Sequence, residues 1–446
     1  MLVETLLVAA MAGAAVEAAP AFKPPLQFTT DGNFHISVFN DIHFGENAAG
    51  QGPVWDSKTS QLMGTIMDAE KPQLVVLNGD LISGDQYQGS DILDHVDRIV
   101  KPIAARRLPW ASTYGNHDSN YNLSRDQMLQ REKTYNGSYT ERMVSGQDAG
   151  VTNYYLPVYA DAGCNASSTT SAAACVPELL LWFFDSRGGK YYRTHNRQPD
   201  WVDTSVVDWF KATSAQLAAA YGRVVPSIAF VHIPIHVTTL LQKQGPGGHL
   251  DLRRHPGIND DKINGQSVGW PPASNSSTQP SGPGGYSGRD VPFMQALAAA
   301  KGLVGLFYGH DHGNTWCYRW AGHVDGLDAD GAAPAGTGLH LCYGQHTGYG
   351  GYGNWIRGGR QIVVTRAGLR RGTLDTHTRL ETGAVVGAVT LNSTFNDDVY
   401  DLVPDTKTMM PLPGKAATAS TAAGTRSGWA AAWTALMPLG FSLFWC

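Results

Sequence analysis

From residue 34 to residue 310 the chain alternates short, nearly continuous apolar runs with longer segments of helical spacing. FHISVFN (34–40), QLVVLN (73–78), residues 109–114, LLWFFD (180–185), SIAFVHIP (227–234) and LVGLFYGH (303–310) predict strands. SKTSQLMGTIMDAE (57–70), residues 87–105, residues 203–221 and FMQALAAAK (293–301) predict helices between them. Strands that are apolar throughout belong to a sheet covered on both faces, so the pattern predicts one α/β domain over residues 30–400. LHLCY (339–343), RQIVVTRA (360–367) and VVGAVTL (385–391) carry few helical signals and are expected as strands of a second layer. Residues 243–289 are mostly Gly, Pro, Ser, Asn and Asp; they predict a long excursion from the sheet, either substrate-facing or a surface insertion.

Composition narrows the class. Only 16 % of the 446 residues are charged, while 51 are Gly and 24 are Pro, which excludes a coiled coil or a long helical bundle. A net charge of -5 with no Lys/Arg-dense face argues against a nucleic-acid-binding surface. The apolar stretch Leu6–Val16, followed by small residues, has the layout of a signal peptide over 1–21. A small, polar segment (401–428) and an apolar tail (429–446) with no charge after Arg426 describe a glycolipid-anchor signal, so a secreted or cell-surface location with membrane attachment is expected. Without the two ends four cysteines remain, Cys164, Cys175, Cys317 and Cys342. Three pairings are open, and the local one, Cys164 with Cys175 and Cys317 with Cys342, is favoured. Glycosylation sequons begin at Asn122, Asn136, Asn165, Asn275 and Asn392.

Residues with metal-ligand chemistry recur directly after the apolar strands: Asp41 and His43, Asp80, Asn116 and His117, His232, then His310 and His312. In an α/β sheet the carboxyl ends of strands converge on one edge, where such side chains can meet. One strand-end histidine is ordinarily a structural residue; five such motifs in one chain are not noise. Carboxylates, an amide oxygen and imidazoles without thiolate suit Zn, Mn, Fe, Co or Ni rather than Ca or Mg alone.

NDIHFGE (40–46), NGD (78–80), GNHD (115–118), FVHIP (230–234) and GHDH (309–312) resemble the ordered signature of the calcineurin-like metallophosphoesterases over roughly residues 34–370. HFGE, DSKT (56–59), FFDS (183–186) and CYGQHTGYGGYG (342–353) resemble the fungal and plant branch related to purple acid phosphatases. The resemblance implies a four-layer α/β/β/α sandwich with two mixed sheets and two metal ions, Zn, Mn or Fe. By it, Asp41, His43 and His312 hold the first ion, Asp80 bridges, and Asn116, His232 and His310 complete the second site. His117 would serve the leaving group. It further implies phosphomonoester hydrolysis by a metal-bound hydroxide on a small-molecule substrate. Phosphodiester hydrolysis, and a non-catalytic surface glycoprotein, remain the alternatives, and no protein partner can be inferred. The chain departs from purple acid phosphatases at Ser83, where those enzymes carry a metal-binding Tyr three residues after the bridging Asp. His236 is either a pocket residue or an exposed loop residue; Asp118 and Asp311 are expected to fix loops. Asp185 either enlarges the site or caps a turn. Tyr349, Tyr352 and Asn354 either flank substrate or belong to a loop packed on the Cys317–Cys342 bridge.

Overall fold

The apolar strands bury alternate side chains against different neighbours, and that alternation builds the layers. The computed structural model describes residues 23–408 apart from 88, 147, 161–174, 271–284 and 328–333. The expected leader (1–21), the apolar tail (429–446), Cys164, Asn165 and Asn275 lie outside the described residues.

The strands are β1 (Leu26–Gln27), β2 (Asn33–Phe39), β3 (Leu74–Asn78), β4 (Trp110–Thr113), β5 (Tyr154–Tyr159), β6 (Leu179–Phe184), β7 (Ser227–Val231), β8 (Leu303–Tyr308), β9 (Cys317–Gly322), β10 (Gly336–Tyr343), β11 (Gly358–Thr365), β12 (Leu374–Leu380) and β13 (Val385–Leu391). The helices are α1 (Gly52–Glu70), α2 (Asp94–Ala104), α3 (Arg125–Glu132), α4 (Thr204–Tyr221), α5 (Val237–Leu241), α6 (Val291–Ala299) and α7 (Arg366–Leu369). One sheet has the order β1-β5-β6-β7-β8-β10-β9 and the other β13-β12-β11-β2-β3-β4. Both are mixed: β6, β7, β8 and β10 run parallel, as do β2, β3 and β4, and antiparallel strands complete each sheet.

Phe34, Ile36 and Val38 of β2 and Leu74 and Val76 of β3 face the other sheet, meeting Leu179, Leu181 and Phe183 of β6, Phe230 of β7 and Phe307 of β8. The intervening positions face outward. Leu180, Trp182 and Phe184 pack under α4 and α6, and Phe39, Val75 and Leu77 pack under α1 and α2. The result is the expected α/β/β/α sandwich. Within the inter-sheet layer an aromatic ladder crosses four strands: Tyr154 on Phe183 at 4.5 Å, Phe183 on Phe230 at 5.1 Å, and Phe230 on Phe307 at 5.7 Å between ring centroids.

Several boundaries and placements differ from the sequence reading. β10 does not join β11 and β13; it pairs in parallel with β8, while β11 inserts beside β2. Run composition shows that a strand exists but not which neighbour it bonds. α1 starts at Gly52, not 57, because Pro53 suits a first helical turn; α2 starts at Asp94, not 87. β12 and the short α3, α5 and α7 gave no sequence signal, being mixed polar stretches placed by tertiary contacts. The excursion 243–289 is packed over its first half: Leu250, Ile258 and Ile263 are buried, and Gln266 N–H donates to the Pro234 carbonyl. Cys317 and Cys342 form a disulfide between directly opposed residues of β9 and β10. Among the described residues no helix is long and apolar enough to cross a membrane.

Replacing Phe230 with Ala removes the middle of the aromatic ladder. Chemical denaturation should show a loss of about 3–5 kcal/mol, the range for deleting a large core aromatic; a loss under about 1 kcal/mol would mean the inter-sheet layer is not the main core.

Candidate metal centre

The chemistry-bearing residues occupy the turns that leave β2, β3, β4, β7 and β8, so the two sheets deliver them to one edge. Four of them, Asp41 (φ 54°), His43 (φ 52°), Asp80 (φ 50°) and His310 (φ 80°), adopt the left-handed backbone. Non-glycine residues rarely do so, and the strain is concentrated where side chains must turn sharply out of a strand. Gly115 allows a close approach: a Cβ there would lie 2.2 Å from Asp80 Oδ1.

Ligand-type atoms of Asp41, His43 and His312 lie within 4.8 Å of one another, and so do those of Asp80, His232 and His310. The two clusters interlock. Asp80 Oδ2 is 3.0 Å from His232 Nε2 and 3.8 Å from His43 Nε2, and Asp41 Oδ1 is 3.6 Å from His312 Nε2 and 3.9 Å from His232 Nε2. The Asp80 carboxylate thus stands between the clusters. Asn116 precedes His117, whose backbone N–H donates to Asp80 Oδ1 at 2.8 Å. Asn116 Oδ1 and His310 Nδ1 are buried with no hydrogen-bond partner. Unpaired buried ligand atoms beside two carboxylates and four imidazoles are what a pair of metal ions would satisfy, so the residues fit the group.

Charge balance agrees. Burial alone would raise the Asp41 carboxyl, but His312 and then His232 hold it well below the usual range. Burial likewise opposes ionisation of Asp80, and His232 and His117 overcome it. Burial pushes His310 down to about 3, with His232 adding to the effect, so its imidazole is neutral with a lone pair to give.

A second ring of contacts orients the imidazoles. Ser83 Oγ lies 2.8 Å from His43 Nδ1 and donates to Glu46 Oε1 at 2.7 Å, while Glu46 Oε2 accepts the Gly351 N–H. His232 Nδ1 bonds the Asn78 carbonyl and His312 Nδ1 the Tyr352 carbonyl, which directs their Nε2 atoms inward. His117 lies with its ring 5.0 Å from that of His43, and its Nδ1 is 2.8 Å from Asp85 Oδ1.

The open alternatives resolve. Asp118 accepts the N–H groups of Leu81, Ile82 and Gly115, and Asp311 those of Asn264 and the Tyr343 hydroxyl, so both fix loops. Asp185 holds the N–H groups of Val151 and Arg187, a turn anchor. His236 is not exposed: it is half-buried and its ring stacks on Tyr286 at 3.5 Å. The glycine-rich loop lies against His43 and His312 rather than the disulfide, since a Cβ on Gly351 would meet both rings. Of Tyr349, Tyr352 and Asn354 only Tyr352 reaches the centre, stacking on His312 at 4.0 Å; the Tyr349 hydroxyl goes to Glu381, and Asn354 accepts the Thr408 N–H through its carbonyl.

Sequence reasoning assigned no role to Glu46, Asp85, Asn264 or His346. Glu46 and Asp85 stood close to predicted residues in HFGE and GDLISGD, a usable signal. His346, its ring 3.8 Å from that of His312, lay within the quoted stretch CYGQHTGYGGYG, whereas Asn264 Nδ2, 3.4 Å from His310 Nε2, comes from a remote loop and had none.

The sandwich and its interlocked clusters define a metal-dependent hydrolase with a dinuclear site. The calcineurin-like phosphoesterase profile matches residues 34–314, and the chain belongs to that family. It is therefore a metallophosphoesterase. It is 27 % identical to an Arabidopsis thaliana protein named probable inactive purple acid phosphatase 29, over 79 % of this chain and 82 % of that one. It is 27 % identical to Saccharomyces cerevisiae phosphatase DCR2, over 72 % of this chain but only 49 % of the yeast protein. A Danio rerio dimetal phosphatase structure aligns with 81 % of this chain and 99 % of its own at 12 % identity and a TM-score of 0.47.

Ser83→Ala should weaken binding of one metal equivalent by about 10–100-fold, the usual cost of losing a hydrogen bond that orients a metal-bound imidazole. Calorimetric titration of the metal-stripped protein checks this; two unchanged sites would assign Ser83 and Glu46 a purely structural role.

Proposed function

We propose that this protein hydrolyses phosphomonoesters outside the cytoplasm. Asp41, His43 and His312 would hold one ion, Asn116, His232 and His310 the other, with Asp80 shared. The observation that carries the reading is the interlocking of two complete ligand clusters around one buried carboxylate. Two ions held by these residues would supply Lewis-acid polarisation of the phosphoryl oxygens and a water of lowered pKa. Zn, Mn and Fe all suit the donor set.

The chain's own residues do the rest. Burial lowers the His117 pKa, but Asp80 and Asp85 outweigh it and raise it to about 10, so the imidazole is a cation near neutrality. With Nδ1 held by Asp85, Nε2 is the atom that would donate to the departing ester oxygen. Ser83 gives the first site no phenolate, which supports a centre without the tyrosinate colour of purple acid phosphatases. The Cys317–Cys342 bridge supports an oxidising compartment. The Arabidopsis relatives carry names that call them inactive and the yeast relative is named a phosphatase; the full donor set here favours activity.

Asp80→Ala should lower kcat/KM on an aryl phosphate by about 10³-fold or more, with loss of bound metal. Wild-type metal content together with wild-type turnover would sink the proposal. His117→Ala should keep its metal and lose about 10²–10⁴-fold in kcat, most severely on esters with poor leaving groups. A uniform loss across esters would mean positioning instead of proton donation.

A further inference from the structure

The two imidazoles of the first cluster face each other through bare nitrogens. Ser83 gives its hydroxyl proton to Glu46, so its oxygen accepts from His43 Nδ1–H. The Tyr352 carbonyl can only accept, so His312 Nδ1 carries its proton as well. Both Nε2 atoms therefore present lone pairs, and they stand 3.2 Å apart. Two lone pairs at that distance repel unless one cation takes both, so each ring must be kept from turning away. Ser83 and Glu46 do this for His43.

Tyr352 grips His312 in three ways. Its carbonyl accepts the Nδ1 proton at 2.8 Å, its hydroxyl accepts the His312 backbone N–H at 3.1 Å, and its ring stacks on the imidazole with centroids 4.0 Å apart and planes within 15°. The phenol donates its own proton to Asp261 Oδ2, which also accepts the Gly313 N–H at 3.3 Å. Asp261 belongs to the excursion, where its backbone carbonyl accepts the side-chain amides of Gln242 and Asn314. A latch thus runs from a packed segment through the phenol to the imidazole. Its other end is fixed too, since buried Arg357 donates to the carbonyls of Gly353 and Trp355. Tyr352 is 50 % exposed and His312 only 2 %, so the outer ring covers a buried ligand.

We propose that Tyr352, latched by Asp261, is a positioning residue for the first metal site, holding the His312 imidazole turned toward His43 and closing it off from solvent. The inference rests on the assignment of Asp41, His43 and His312 to one ion and not on which ester is cleaved. Tyr352 acts through His312. Its hydroxyl is engaged by both His312 and Asp261, so it does not stand in for the phenolate that Ser83 lacks. Without the stack the imidazole can rotate and water can reach it, which loosens one site and leaves the Asp80, Asn116, His232 and His310 set untouched.

The test titrates zinc calorimetrically into the metal-stripped protein and its variants. Tyr352→Leu should weaken one of two equivalents by about 10–100-fold and leave the other within about threefold. Tyr352→Phe keeps the ring and loses the latch, and should fall between the wild type and Tyr352→Leu. Asp261→Ala acts on the same latch, so combined with Tyr352→Phe it should cost less than the product of the two single effects. Crystals of Tyr352→Leu at limiting zinc should show anomalous scattering beside Asp80, His232 and His310 and little beside Asp41, His43 and His312. Two unchanged equivalents, equal weakening of both, Phe as damaging as Leu, or loss of the second site instead of the first would overturn the proposal. Should Tyr352→Leu not fold, the Phe and Asp261 pair decides alone, and independent effects there overturn it. A protein that binds zinc as expected but cleaves no ester keeps the latch and loses the hydrolytic reading. One that cleaves esters and binds zinc alike in every variant does the reverse.

Discussion

Asp41 and Asp80 are two carboxylates buried within reach of the same imidazole, His232, at 3.9 and 3.0 Å. Burying one unpaired charge costs several kcal/mol, and placing two like charges together costs more. The protein meets that demand with imidazoles, with the backbone N–H groups of His310 to Asp41 and His117 to Asp80, and with the Asn40 side-chain amide, which donates to Asp41 Oδ2. These partners come from the exits of β2, β4, β7 and β8. The centre therefore exists only while the strand ends stay in register, and the architecture serves that requirement.

The aromatic ladder is how register is kept. Phe230 is locked between Phe183 and Phe307, and His232 follows two residues later at the end of the same strand. A shift of β7 would move the imidazole away from both carboxylates and break the stacking at the same time. Across the sandwich, β2 and β3 reach the edge together because their parallel register sets Phe39 opposite Leu77, immediately before the turns that carry Asp41 and Asp80. The left-handed residues then complete in one step a change of direction that a longer loop would make less reproducibly. Their strain is local, and the packed layers beneath over-determine it.

This division explains what could be read in the sequence. Continuous apolar runs ending in Asp, Asn or His reported both a covered sheet and a convergent site, because one cause, the strand exit, produces both signals. The predicted ligand residues that meet at the centre are of this kind, whereas Tyr352 reaches it from the glycine-rich loop. Pairing order was not legible: the apolar stretch 339–343 is compatible with either sheet, and only tertiary contacts put β10 beside β8. Nor were partners brought in from irregular loops. Asn264 comes from a segment whose composition describes backbone freedom, yet that segment is pinned by the Asp311 carboxylate and by a bonded Pro234 carbonyl. Glycine-rich composition marked where the chain is irregular but not whether it is packed.

Charge is used in two opposite ways. In the centre each carboxylate is buried and compensated, so its field is spent on neighbours and acts only over contact distances. On the loop after β6, Arg193 stands exposed over the Tyr121 and Tyr192 rings rather than beside a carboxylate. An exposed cation acts at a Debye length of about 8 Å and loses strength with salt, whereas the buried cluster does not. Chemistry and surface charge are thereby separable: the first depends on geometry that the sandwich fixes, and the second on a surface that can change charge without disturbing the fold. A chain with few charges can hold both because it places them where one set is neutralised and the other is left exposed.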